Sequence, residues 1–164
     1  MDVSAATEAD IPVIMTLERL DGYEPLVGRW EADQHAAEIK NPANKYLVAR
    51  ETNEIVAFAI LQGLEAPNRC VRLRRIIARN PERGIGSKFL GSVLDICFNE
   101  LATHRVELFV HLHNERARRV YAKIGFTEEG VLRDVQRNED GSFRSMRLMS
   151  ILKPEWVGRA TQLR

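Results

Sequence analysis

The chain has 164 residues, 45% of them hydrophobic and 29% charged, a balance that suits one compact globular domain and leaves little room for a second. A net charge of +1 advertises neither nucleic acid nor an anionic membrane as partner, and no apolar run approaches the roughly 20 residues that cross a bilayer. Acids at Asp2 and Glu8 stand where a signal peptide needs bases and then an apolar run, so the expected location is cytoplasmic.

No repeat or linker divides residues 1–164, which are read as a single domain. Thr7 is a candidate helix N-cap with Asp10 three residues on, and Ile11, Ile14, Met15, Leu17 and Leu20 keep a helical period. Gly22, Pro25 and Gly28 break the chain before a shorter helix over 30–39. Residues 45–50 and 55–63 read as strands joined by a hairpin loop. A third strand covers 70–78, with Val71, Leu73 and Arg75 alternating against Arg72, Arg74 and Ile76. Cys70 and Cys97 lack CxxC spacing or paired histidines nearby, so two reduced, buried thiols are expected, with neither a disulfide nor a metal.

After a loop at 79–84, the residues Ile85, Phe89, Leu90, Val93, Leu94, Ile96, Cys97 and Leu101 mark the strongest amphipathic helix. Val106, Leu108 and Val110 make a strand. Asn114 caps a further helix, with Glu115 in its first turn and Gly125 as its stop. Residues 131–135 and 143–152 close the domain as two strands around an Asn138-Glu139-Asp140-Gly141 turn. This order predicts an α/β (α+β) fold, a mixed sheet with helices on both faces.

Arg83-Gly84-Ile85-Gly86-Ser87 sits between a strand and the long helix. Unpaired N–H groups and the positive dipole end attract an anion there, and glycine permits its close approach. Phe89 occupies the position of a third dinucleotide-fold glycine, and Ser87 precedes Lys88 in an order no P-loop uses. Taken alone, the loop is equally well a tight strand-to-helix turn. The second constellation runs from His113 to Phe126. Asn114, Ala117 and Tyr121 fall along one helix stripe, which alone reads as a packing face.

Together, Arg-Gly-x-Gly opening a helix, then a strand, then Asn-x-x-Ala-x-x-x-Tyr-x-x-x-Gly-Phe resemble the GNAT family of N-acetyltransferases over essentially the whole chain. Residues 125–134, Gly141-Ser142-Phe143-Arg144 and 149–152 look like the branch containing ribosomal-protein and spermidine N-acetyltransferases. The resemblance implies acetyl-CoA as co-substrate, no metal, a primary amine as acceptor (a protein N-terminus, a polyamine or another small amine) and direct attack in a ternary complex; a homodimer stays open. It makes Arg83, Gly84, Ile85, Gly86, Ser87 and Lys88 the pyrophosphate loop. Ile76, Ile77 and Ala78 would pair with the pantetheine arm, the Ile77 N–H facing the thioester oxygen. Asn114 and Ala117 would hold the pantetheine, Tyr121 would face the sulfur as proton donor, and Lys123 would reach the ribose phosphate. Pro81 departs from the family's loop, where Gln or Arg is frequent; Arg79 or Arg83 could supply the missing contact.

For the base, Glu107 is the nearest carboxylate in sequence, although pairing with Arg105 is the better account of it; His111 and His113 are alternatives. Glu24 is a candidate for recognising a cationic acceptor. Two rival functions are weighed. A basic strip of Arg72, Arg74, Arg75 and Arg79 for RNA lacks interleaved aromatics. A non-catalytic acyl-CoA sensor would have no use for Tyr121.

Overall fold

The computed structural model describes residues 1–23, 26, 28–80 and 83–162, the side chains of 159–162 excepted. A mixed sheet begins with β1 (Asp2–Ala5), β2 (Asn44–Glu51), β3 (Glu54–Gln62) and β4 (Cys70–Ala78), each antiparallel to the next. β5 (Arg105–His111) lies parallel to β4, and β7 (Phe143–Leu152) sits antiparallel between β5 and the edge strand β6 (Thr127–Arg137). α1 (Ile11–Glu18) and α2 (Ala32–Lys40) cover one face. α3 (Ile85–Asp95) and α4 (Glu115–Ile124) cover the other, where Trp156 of α5 (Lys153–Gln162) also packs. The fold class and all the expected strands and helices stand, with ends shifted by a few residues.

Each face has its own core. Phe89, Leu90, Val93 and Leu94 of α3 meet Leu47, Ala59, Val71, Leu73, Val106 and Leu108 of the sheet. Ile14 and Leu17 of α1 meet Tyr46, Val48, Phe58, Ile60 and Ile77. The apolar face of α3 continues past Asp95 because its last turn widens to π geometry, Leu101 N–H reaching Ile96 C=O at 3.0 Å.

The alternation expected along β4 is interrupted. Ile60 pairs with Arg75 but Leu61 with Leu73, so Arg74 is an extra, bulged residue. Val71 and Leu73 therefore face α3, whereas Arg75 and Ile77 face α1 and α2. The same bulge bends the strand away from its parallel neighbour. β4 and β5 pair only as Cys70–Arg105, Val71–Val106 and Arg72–Glu107, and beyond that point they part.

The flip takes Arg75 into the interior, 5% exposed. Its Nη1 donates to Glu18, which is itself fully buried. Glu18 also accepts from the Trp30 N–H at 3.3 Å and meets His35 Nε2 at 3.2 Å, while His35 Nδ1 meets the Tyr46 hydroxyl at 3.1 Å. Trp30 lies against the Arg75 guanidinium, 4.5 Å from its ring centre. The four arginines weighed above as one exposed strip are thus not one, since Arg75 is inside.

α5 has no counterpart among the elements expected from the sequence, because it follows β7 directly, with no turn residues between Leu152 and Lys153. It starts with Pro154 in the first turn, where the missing N–H costs nothing, and the Glu155 carboxylate accepts the Leu152 N–H at 2.8 Å. Trp156 fastens it, donating to Asp95 at 2.8 Å. β6 is longer than the expected 131–135 because most of it is exposed on both faces and gives no alternation. Both cysteines are free thiols, Cys97 buried and Cys70 half-buried.

Glu18→Ala should cost about 3–5 kcal/mol, because it leaves the Arg75 charge buried without its counter-ion, and a thermal melt should fall by roughly 10 °C. Burial alone would raise the Glu18 carboxyl, but the His35 hydrogen bond and the Arg75 charge outweigh it and hold it below its ordinary 4.5. A carboxylate lowered on folding stabilises fully above its unfolded value and loses that contribution as the pH falls through the folded one. Melts run downward from pH 5 should therefore converge for parent and variant only well below pH 4.5.

Candidate active site

Where β4 and β5 part, a cleft of about 1130 Å³ opens through the sheet, large enough for a sizeable ligand and a second molecule. One wall is the free edge of β4. Arg79 N–H donates to Val56 C=O of the neighbouring strand at 2.7 Å, continuing the β3 ladder. Backbone groups alternate along a strand, so the N–H of Ile77 faces β3 as well, and those of Ile76 and Ala78 face the cleft. Tyr23 corroborates this phase, its hydroxyl donating to Ala78 C=O at 3.1 Å from the loop after α1. The Ile77 N–H expected at the thioester oxygen thus points the other way, and its side chain belongs to the α1 core.

One end of the cleft is the start of α3. Gly84 caps it with φ +72°, a left-handed conformation that glycine adopts without strain. Lys88 N–H makes the first helical bond, to Gly84 C=O at 3.2 Å, so the N–H groups of Ile85, Gly86 and Ser87 precede the ladder. Gly86 lies against the end of β4; a Cβ there would stand 3.6 Å from that of Ala78. Gly86 and Ser87 line the cleft, while the Ile85 side chain is buried in the α3 core and Arg83 and Lys88 are exposed. These groups suit a pyrophosphate, and the open β4 edge suits an extended amide-bearing arm.

The opposite wall is α4. The Asn114 Oδ1 accepts the Ala117 N–H at 3.1 Å, which leaves its NH2 for a ligand, and Ala117 and Tyr121 follow along the lining. The Tyr121 ring rests on Phe126, 5.6 Å between centres, and among the described residues its hydroxyl has no hydrogen-bond partner. Burial pushes this phenol up to about 12, with nearby Tyr23 a smaller cause. Lys123 is exposed on α4 and does not line the cleft.

The face of the sheet under α1 and α2 supplies the rest: Arg72, Arg74, Arg75, Phe109 and His111. Glu107 stands at the fork itself and is taken up by Arg72 at 2.9 Å and by Arg105 at 3.3 Å. Burial would raise its carboxyl, but these hydrogen bonds and charges hold it below the ordinary range. His111 ends β5 half-buried, with Arg144 Nη1 3.3 Å from its Nε2. Burial, then the Arg144 and His113 charges, lower its pKa from 6.5, so the imidazole is neutral at pH 7. Glu24 lies outside the described residues. Tyr23, Trp30 and Glu18 were missed in the sequence, since their roles rest on contacts made across 12 to 57 residues of chain.

Among the described residues no group of three or more His, Cys, Asp or Glu could hold a metal, and no helix is long and apolar enough to cross a membrane. Residues 13–126 match the Acetyltransferase (GNAT) family. YdaF of Bacillus subtilis (strain 168), assigned as a ribosomal N-acetyltransferase, is 33% identical over 99 residues, 60% of this chain and 54% of that protein. The L-amino acid N-acetyltransferase AaaT of Escherichia coli (strain K12) is 31% identical over 97 residues, 54% of this chain and 57% of that one. These matches span little more than half of either relative. A mutant of the spermidine N-acetyltransferase SpeG from Vibrio cholerae superimposes with a TM-score of 0.81 at 20% identity, over 98% of this chain and 99% of that one. The parted strands, the helix N-terminus at one end of the gap and the matched family pattern agree, and the chain is an acetyltransferase of the GNAT family.

Proposed function

We propose that the protein transfers an acetyl group from acetyl-CoA to a primary amine by direct attack, both substrates being held in the cleft at once. The observation that carries this reading is the free edge of β4, with the α3 N-terminus at one end of the cleft and, in its lining, the Tyr121 hydroxyl, which has no hydrogen-bond partner among the described residues. The pyrophosphate would take the N–H groups of Gly86 and Ser87, with Arg83 beside them. The N–H of Ile76 or of Ala78 polarises the thioester oxygen, replacing Ile77 in that role.

Tyr121 acts on the sulfur by hydrogen bonding. A phenol near 12 lies about 3.5 units above an ordinary thiol at about 8.5, so full proton transfer would be uphill by roughly 5 kcal/mol. Donating a hydrogen bond to the developing thiolate involves no such cost. The proton must come instead from the attacking amine.

That amine needs a base in proportion to its pKa. An α-amino group near 8 is neutral at pH 7 in about one molecule in ten, an alkyl ammonium near 10.4 in about one in a few thousand. His111 is the base this site supports best: neutral, half-buried and in the lining, where Glu107 is held by two arginines.

Acetyl-CoA at about 100 times its dissociation constant should stabilise the fold by roughly 2.7 kcal/mol. Gly86→Ala should keep that melting shift, the added carbon meeting only an ordinary contact, whereas Gly86→Val should lose it. Tyr121→Phe should lower kcat about ten- to a hundredfold, below the 10²–10⁴ of full acid catalysis, and leave the calorimetric affinity for acetyl-CoA within a few-fold. Equal turnover in Tyr121→Phe would return that residue to a packing role. In a pH series, kcat should show an acid limb below 6.5 that His111→Gln abolishes while lowering the plateau about a hundredfold; Glu107→Gln should keep the limb.

A further inference from the structure

On the α1 and α2 side the cleft floor is made of Arg72, Arg74 and Arg75, with Arg144 across from them. Two carboxylates, Glu18 and Glu107, hold arginines of that floor without lining the cleft themselves, and both are already engaged, Glu18 by Arg75 and His35, Glu107 by Arg72 and Arg105. Among the described residues the acids of the lining are Asp21, Glu139 and Asp140, all exposed. Arg75 has a side chain only 3% exposed and spends one nitrogen on Glu18; among the described residues its other nitrogens have no hydrogen-bond partner. Arg74, the bulged residue, makes no ion pair among the described residues, and its guanidinium lies 5.9 Å from the Trp30 ring. Although the residue as a whole is exposed, desolvation of its guanidinium, then neighbouring Arg72, pull Arg74 below its ordinary value against the opposing charge of Glu38, a penalty that an anion would relieve.

The cofactor phosphates do not explain this charge. They belong at the Ala78 end of β4, beside Gly86, whereas Arg74 is four residues nearer the fork, roughly 13 Å away at 3.3 Å per residue. A polyamine matches it less well, because its second ammonium would face the arginines of the floor, and among the described residues the only acids of the lining, Asp21, Glu139 and Asp140, are exposed.

We propose, on the footing of the transferase reading above, that the acceptor is a small primary amine that also bears a carboxylate, the chemistry of an amino acid, and that Arg74 and Arg75 hold that carboxylate beside Trp30. A bidentate guanidinium contact fixes the orientation of such a molecule and leaves its amine free to face the thioester. The same positive floor disfavours the ammonium form of the amine, so holding the carboxylate and freeing the nucleophile are one electrostatic arrangement.

The test compares each amino acid with its own amide, which keeps the amine and removes the anion, and with spermidine. Thiol release from acetyl-CoA gives kcat/KM, and calorimetry on the protein saturated with CoA gives binding. The amino acids should exceed their amides by at least tenfold in both. Arg74→Gln, a change at an exposed side chain whose folding a melt can verify, should collapse that ratio towards one. Amides or spermidine used as well as the amino acids, or a ratio unchanged in Arg74→Gln, would overturn the proposal. Tight binding of an amino acid that is lost in Arg74→Gln, with no thiol release, would keep the carboxylate site but overturn the transferase reading and with it the acceptor role, so the two fail separately.

Discussion

Everything functional in this molecule depends on two parallel strands ceasing to pair. β4 and β5 share three residue pairs and then diverge, so backbone groups on the β4 edge that a closed sheet would bury face a cleft. An exposed strand edge is ordinarily a hazard, because its unpaired N–H and C=O groups invite another strand. Here the edge is short, recessed between α4 and the loop after α1, and partly occupied already by the Tyr23 hydroxyl on Ala78. The geometry that would be an aggregation risk on the outside becomes a binding template on the inside.

The divergence has a local cause in the bulge at Arg74. One extra residue bends β4 and, at the same stroke, reverses which face each later side chain takes. Ile76 and Ala78 come to the cofactor side of the sheet, and Arg75 and Ile77 to the side of α1 and α2. The N–H groups of Ile76 and Ala78 that face the cleft and its arginine-lined floor are therefore two consequences of one insertion. The fork itself is tied by Arg72 and Arg105 on Glu107, with Arg105 also reaching Glu129 of β6 at 3.0 Å on Nη2. Charge neutralised there accounts for a carboxylate that sequence position alone made a candidate base.

How much of this could be read beforehand follows the range of the interactions. The α3 N-terminus, the Asn114 cap and the Tyr121 stripe are local patterns of four to eight residues, and the structure brings Gly86, Ser87, Asn114, Ala117 and Tyr121 to one cleft. The phase of β4 was not legible, because a bulge leaves the alternation of apolar and polar residues intact on paper while exchanging the faces in space. Ile77 was consequently assigned the N–H that Ile76 and Ala78 present. Trp30 and Glu18 carry no motif; they acquire meaning only once α1, α2 and β4 are packed together. α5 escaped because it follows β7 with no turn between Leu152 and Lys153 to mark where strand ends and helix begins.

The proposed carboxylate site would give the buried Glu18–Arg75 network a purpose beyond stability. A buried ion pair is a weak source of net stability, since the desolvation of both charges offsets most of their attraction, and apolar residues of similar size commonly do as well. Stability alone is therefore a poor reason to keep a fully buried carboxylate, a histidine and an arginine under the cleft floor. Placement is a better one. Glu18 fixes one nitrogen of Arg75, the Trp30 ring fixes the plane of its guanidinium, and the remaining nitrogens are left at the cleft with their orientation already set. An anion arriving there would find a donor that has little rotamer freedom left to lose, which is where pre-organised sites gain affinity. Arg74, exposed and less constrained, adds charge without that precision. The division of labour between a fixed arginine and an adaptable one is what an acceptor site needs if it must align one amine closely while tolerating variation in the rest of the molecule.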